Sequence, residues 1–486
     1  MRRPIEQSMV KEVLLAVESE LESLASEEKT LHDMRISLAM TRNNTPTVAR
    51  VNTLPPEILA RIFGLSRTEF YHRPDTKDNF CRVCVYWRQT AMDAADLWTH
   101  VYVNRESPRR LTKSLLSRSK GVPIHVHAYE PDEYASDGYS PALATKEIMG
   151  MLEADLHRVS TLEIESDNER DGFVYSLLER WSNHVDINFP TSLFVRGPEM
   201  HGSRPIRRLG GPSNNIEKML LALTTLHLNY SRFEWDSNAY RGLVDLRLNV
   251  EMGVSIPLPD LANILAACPG LAILKLQVGI VGVVRIKGRT QPAPIKMKHL
   301  KVLNLYLMDA NATALVLSLI TLPGPGVELG ISLAPYRALD SQLVSFFARS
   351  KVTTLVCESD RYITSTYWKR FLRCIGGPRI LILCGFILVD ATTNPSSTRS
   401  FPSTLPSSSQ PPSVTLTACT VDLNSLKFLV TRCGTRSLQL EKCKVPPGQD
   451  LQDIRASLEK LYPDLQVTLS NTDSTLQYSC RLMDDS

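Results

Sequence analysis

Leu243-Val-Asp-Leu246-Arg-Leu248, Leu271-Ala-Ile-Leu274-Lys-Leu276 and Leu300-Lys-Val-Leu303-Asn-Leu305 repeat one six-residue frame, apolar-x-x-Leu-x-apolar. The closing Leu-x-apolar alternates as a strand with one buried face does. Working outward, the frame returns at Val159–Ile164, Leu223–Leu228, Val352–Cys357 and, with a weak first position, Thr435–Leu440. Pro190–Val195, Pro378–Leu383 and Pro411–Leu416 fit it more loosely, and Val327–Ile331 keeps part of it. The central leucines of the best stretch are Leu246, Leu274, Leu303, Leu329, Leu355 and Leu381, separated by 28, 29, 26, 26 and 26 residues.

That period lies in the range of leucine-rich repeats and matches no other common repeat. Helix-like stretches sit between the strands: Asp260–Cys268, Ser341–Arg349 and Leu423–Thr431. Each repeat then reads as one strand plus one helix, stacked so that neighbouring leucines share a core. An irregular leucine-rich-repeat solenoid of α/β class is expected over 120–475. A Gly/Pro/Arg-rich insertion at 196–215 interrupts it. So does a stretch at 391–413, where only six residues are not Ser, Thr or Pro, too polar to pack.

Ahead of the repeats, residues 5–40 read as a helix within an N-terminal segment 1–45. Val10, Val17, Leu24, Leu31 and Leu38 recur every seven residues, with Leu14 and Leu21 four after the first two. Glu28 and Arg35 take the same offset further on and weaken the seam. Docking on its own chain and pairing with another molecule both fit this pattern. Asn43-Asn-Thr-Pro46 stops the helix. Between helix and repeats, residues 50–104 hold Leu54-Pro55-Pro56-Glu57-Ile58-Leu59-Ala-Arg-Ile62-Phe63, then Val83-Cys84 and Trp87, then Leu97-Trp98. A proline opens a helix where a missing N–H costs nothing. Ile58, Leu59, Ile62 and Phe63 form an apolar face at helical spacing, and Val83, Cys84 and Trp87 another. Fifty such residues bury little, and an apolar face left open is a partner surface.

The run LPPEILARIF, then CRVCVYWRQTA, then DLWTHV resembles an F-box, in particular that of fungal F-box proteins in which a heptad-bearing helix precedes the motif and leucine-rich repeats follow. The resemblance implies a trihelical module that docks on the Skp-type adaptor of an SCF ubiquitin ligase. By position, the adaptor contact falls on Leu54, Pro55, Ile58, Leu59, Ile62 and Phe63. Val83, Cys84, Trp87, Leu97 and Trp98 fall in the module's core. The implied function is a substrate-recognition adaptor that joins a cullin ligase through the F-box and a protein client through the repeats. A non-ligase interaction scaffold with a degenerate F-box is the alternative.

The totals agree with a binding role. The chain has 486 residues, 43% hydrophobic and 22% charged, with a net charge of +4. That balance is too small to argue for nucleic acid or an anionic membrane as the main partner, and neither is expected. The N-terminal residues have no apolar signal core, and no apolar run approaches the ~20 residues of a bilayer span. Ten scattered cysteines suit a reducing compartment, cytoplasmic or nuclear, with free thiols. Asn43 and Asn311 head glycosylation-type triplets, which mean nothing without a secretory route. Cys81-Arg-Val-Cys84 lacks the further ligands of a zinc site, and Cys268, Cys419 and Cys443 occupy turn positions of repeats. No phosphate loop, serine elbow or zinc-protease motif occurs, so neither enzyme activity, cofactor nor metal is expected. His125 and His127 alternate on one expected strand, as a surface-facing pair. Arg285, Lys287, Arg289, Lys296 and Lys298 belong to a run without acidic residues, either a solvated loop face or a patch for an acidic client.

Overall fold

A computed structural model describes residues 3–45, 50–67, 79–104, 109–130, 141–166, 172–183, 191–197, 214–250, 254–282, 294–324, 326–333, 337–359, 365–375, 378–389 and 413–470. The chain divides into two compact units, 1–102 with 107–124, and 103–106 with 125–486. Most of the insertion at 196–215 and nearly all of the Ser/Thr/Pro stretch at 391–413 lie outside the described residues.

The first unit is helical. Helix α1 runs Arg3–Asn44, longer than the 5–40 expected. Its described side chains from Lys11 to Arg42 are all exposed, so none of them docks on the rest of the chain. Helix α2 runs Pro56–Arg67 and α3 runs Val85–Asp93. Pro56 occupies the first turn of α2, and the Pro55 carbonyl accepts from the Ile58 and Leu59 N–H groups. At the head of α3, Cys84 has extended backbone, and its thiol accepts weakly from the Trp87 N–H at 3.5 Å.

The second unit is an open parallel sheet with helices between its strands. From Val159–Ser166 through Ser192–Arg196, Thr225–Asn229, Asp245–Asn249, Ile273–Gln277, Val302–Leu305, Val327–Ser332, Val352–Glu358, Ile380–Cys384, Ser413–Thr417 and Ser437–Glu441 to Gln466–Ser470, successive strands lie side by side. Each pair is parallel. Parallel neighbours need a crossover, and helices such as Leu258–Ala267, Ala310–Leu319, Arg337–Arg349 and Leu423–Cys433 supply it.

Register follows the leucines. Leu246 pairs with Leu274, Leu274 with Leu303, Leu303 with Leu329, Leu329 with Leu355, and Leu355 with Leu381. All six are buried. A one-residue slip would turn every leucine to the other face, so burial pins the register while the connections absorb the uneven spacing. The strand Gln466–Ser470 extends the row beyond the six-residue frames, with Val467 opposite Leu438. Its central position holds valine, so the leucine frame passes over it.

Local chemistry closes several of the repeats. The Cys268 thiol donates to the Tyr240 carbonyl at 3.2 Å, Cys419 to Leu383 at 3.3 Å and Cys443 to Leu416 at 3.3 Å. These thiols tie a turn to the strand or turn of the preceding unit. In the helix Leu423–Cys433, the carboxylate of Asp422 accepts from the Ser425 N–H at 2.7 Å, and Gly434 ends it at φ 61°. Only a residue without a Cβ adopts that left-handed turn at no steric cost. Asp422→Ala should therefore cost about 1 kcal/mol. A urea titration that leaves the midpoint unchanged would show the cap to be idle.

Candidate partner-binding site

Two parts of α2 face opposite ways. Leu59 and Phe63 are buried, whereas Ile58 and Ile62 are 48% and 44% exposed. The single four-residue apolar face read from the sequence is thus divided. Leu59 and Phe63 pack with Ala91, Leu97 and Trp98, and Phe80, Cys81, Tyr86, Trp87, Met92, Ala94 and Leu115 close the cluster. The Phe63 ring stacks on Phe80 at 4.6 Å and tilts against Trp87 at 5.0 Å. A small core fills with its largest rings, so the phenylalanine turns inward and takes Leu59, one helical turn earlier, with it.

Polar groups of the rings are satisfied as they enter this core. The Trp98 Nε1–H donates to the Ala91 carbonyl at 2.7 Å, and the Arg118 guanidinium lies 4.6 Å from its ring centre. The Trp87 Nε1–H donates to Asn52 Oδ1 at 2.8 Å, and the Tyr86 hydroxyl to the Leu54 carbonyl at 2.8 Å. These two bonds fasten the Leu54-Pro55 corner onto α3. Leu54 is accordingly half-buried, while Pro55 stays exposed.

The expected inner set needs one correction. Leu97 and Trp98 are interior and Trp87 half-buried, but Val83 is 48% exposed and precedes α3 instead of lying on it. A turn of 3-10 helix at Asn79–Arg82 carries Phe80 into the core, which leaves Val83 to solvent. Cys84 is half-buried and caps the helix. Cys81 supplies its carbonyl to the Arg88 Nε–H at 2.9 Å, so both members of the C-x-x-C take part in local structure.

What remains outside is an apolar stripe. Ile58, Ile62 and Leu65 follow one another at helical spacing on α2, all exposed, with Val51 exposed before them. Leu65 belongs to this stripe although the motif quoted from the sequence stops at Phe63. The i, i+4, i+7 pattern was the available signal.

The sheet offers a second surface. One position after each core leucine, on the opposite face, the register aligns Glu163, Phe194, His227, Arg247, Lys275 and Asn304. The Asp245 carboxylate holds His227 at 3.1 Å and Arg247 at 3.0 Å, and the Phe194 ring meets His227 edge-on at 4.4 Å. Burial pushes the His227 imidazole below its usual range and keeps it neutral. Burial would raise Asp245, but hydrogen bonds from His227 and Arg247 prevail and hold it below the carboxylate range. Further along the same row, Val356 and Ile382 cluster with Tyr306, whose ring fills the space over Gly330. Of the basic residues read as a client patch, Lys296 and Lys298 are exposed, and Arg285, Lys287 and Arg289 lie outside the described residues.

No curated protein matches the sequence. Among solved structures, the crystal structure of the Rad7 and Elc1 complex in yeast is similar at 12% identity, over 90% of this chain and 97% of that one. Its TM-score of 0.32 is too low to equate the two folds. The family described as F-box-like matches residues 51–104, the stretch that holds α2, α3 and the ring-filled core between them. Residues 51–104 are an F-box-like domain.

Proposed function

We propose that this chain is the substrate-recognition adaptor of an SCF-type ubiquitin ligase. Residues 51–104 bind a Skp-type adaptor, and the parallel sheet, read as a leucine-rich-repeat array, holds a protein client. The observation that carries the reading is the F-box-like match together with the apolar stripe that its closed core leaves outside. Ile58, Ile62 and Leu65 are the anchors, with Leu54 and Pro55 at the rim. Leu59 and Phe63 act indirectly, by fixing the orientation of α2. The cullin is reached through the adaptor, and the chain needs no catalytic group, because ubiquitin transfer by other subunits gains from holding the client nearby. Cytoplasm or nucleus is the compartment this role requires.

The client face in this reading is the row from Glu163 to Asn304 with the apolar sector Tyr306, Val356 and Ile382. A strand row of this kind presents side chains at a regular spacing to an elongated partner.

The test uses the intact chain and a purified Skp-type adaptor. Ile58→Asp with Ile62→Asp should lower affinity more than tenfold, since desolvated anchors at an interface centre commonly cost ~2 kcal/mol or more each. The melting temperature should hardly change, because both side chains already face water. A folded double variant that still binds at wild-type affinity shows that the stripe is not the adaptor contact, whereas a wild-type chain that binds no adaptor favours the non-ligase scaffold instead.

A further inference from the structure

Helix α1 displays a seam that its own chain leaves open. Leu14, Val17, Leu21, Leu24, Leu31 and Leu38 are between 50% and 72% exposed. In heptad terms Val10, Val17, Leu24, Leu31 and Leu38 hold the d position, and Leu14, Leu21, Glu28 and Arg35 hold a. The helix spans 42 residues, about 60 Å, and isolated helices keep little structure in water without a partner for the apolar side.

We propose that α1 pairs in antiparallel fashion with α1 of a second copy of this chain. Two a-position charges inside the seam, Glu28 and Arg35, decide the orientation. A parallel pair stacks like on like, Glu28 against Glu28 and Arg35 against Arg35, in two consecutive a layers of a partly desolvated seam. Both layers repel, and neither holds an opposite charge. An antiparallel pair builds every layer from an a residue of one helix and a d residue of the other. The five d residues from Val10 to Leu38 are all aliphatic. With Leu14–Leu38 of the two helices side by side, Glu28 faces Leu24 and Arg35 faces Val17, and each lays its methylene stem on that neighbour and carries its charge out to water. Leu14 and Leu21 likewise meet Val or Leu where d residues lie opposite, forming wholly apolar layers. One sequence thus supplies both halves of the seam, as a two-fold interface requires. The two F-box-like domains then follow from opposite ends of the paired helices.

Sedimentation equilibrium of the full chain should return twice its 54.4 kDa. Val17→Asp with Leu24→Asp should return the single mass and lose helical signal from α1, while residues 51–104 and the sheet melt as in wild type, because neither side chain is buried elsewhere in the chain. Orientation is read by mixing wild-type chain with an isotope-labelled Arg35→Glu variant and weighing the dimers by native mass spectrometry. In the antiparallel pair the two copies of position 35 lie roughly 27 Å apart, so the effect of the charge adds chain by chain and the three dimers form in statistical proportions. In a parallel pair Arg would lie opposite Glu, and mixed dimers would dominate. A several-fold excess of mixed dimer overturns the antiparallel orientation. A monomeric wild type, a larger oligomer, or a double-Asp variant that stays dimeric overturns the pairing. None of these readouts involves the ligase adaptor, so they stand or fall apart from the function proposed above.

Discussion

Trp98→Ala is expected to unfold most of residues 51–104 while the sheet of the second unit survives. The indole is fully buried, and among the described residues it clusters with Leu59, Phe63, Ala91 and Leu97 as the other buried members. Truncating a buried Trp costs about 3–5 kcal/mol through lost contacts and the cavity left behind. The same change leaves the Ala91 carbonyl without its donor and the Arg118 guanidinium without a ring beneath it. A core of this size has little stability in reserve. Hydrogen exchange followed by mass spectrometry should therefore show peptides from α2 and α3 losing protection. Ile62→Ala, on the open side of α2, is the control and should stay within about 0.5 kcal/mol of wild type. Equal protection in the two variants would mean that the ring cluster does not hold the domain together.

Leu303→Ala should destabilise the sheet by about 2–5 kcal/mol. Leu303 is fully buried, with Leu274 and Leu329 directly beside it in register. Neither neighbour can collapse into the gap without moving its own strand, because parallel pairing on both sides fixes all three. In a row of this kind each strand touches only the strands next to it, so the loss should be local first. Exchange should rise most in Ile273–Gln277 and Val327–Ser332 and fade towards Ser437–Glu441. Val281→Ala, which removes an exposed side chain, should leave the profile unchanged. An even loss over the whole sheet would show instead that the array unfolds as one cooperative block. No loss at all would mean that the leucine row is not what stabilises it.

The strand row was legible in the sequence because one physical demand produces it. Each strand must bury one face against its neighbours, so Leu246, Leu274, Leu303, Leu329, Leu355 and Leu381 recur at a spacing that survives insertions between them. The start of α2 at the proline pair was legible for a similarly local reason, a missing N–H tolerated in the first turn. Tertiary structure alone settled which apolar residues of α2 go inside. Ile58, Leu59, Ile62 and Phe63 cover an arc too wide to be buried by two small helices, and nothing within α2 ranks its two edges. Phe80, Trp87 and Trp98 arrive from later in the chain and claim Leu59 and Phe63, leaving Ile58 and Ile62 for solvent or a partner. Val83 was misread for the same reason, since its helical spacing continued across a turn that only the placement of Phe80 reveals. The Phe194, His227, Asp245 and Arg247 cluster was out of reach altogether. Its members lie on three strands and meet only because leucines on the other face set the register that aligns them.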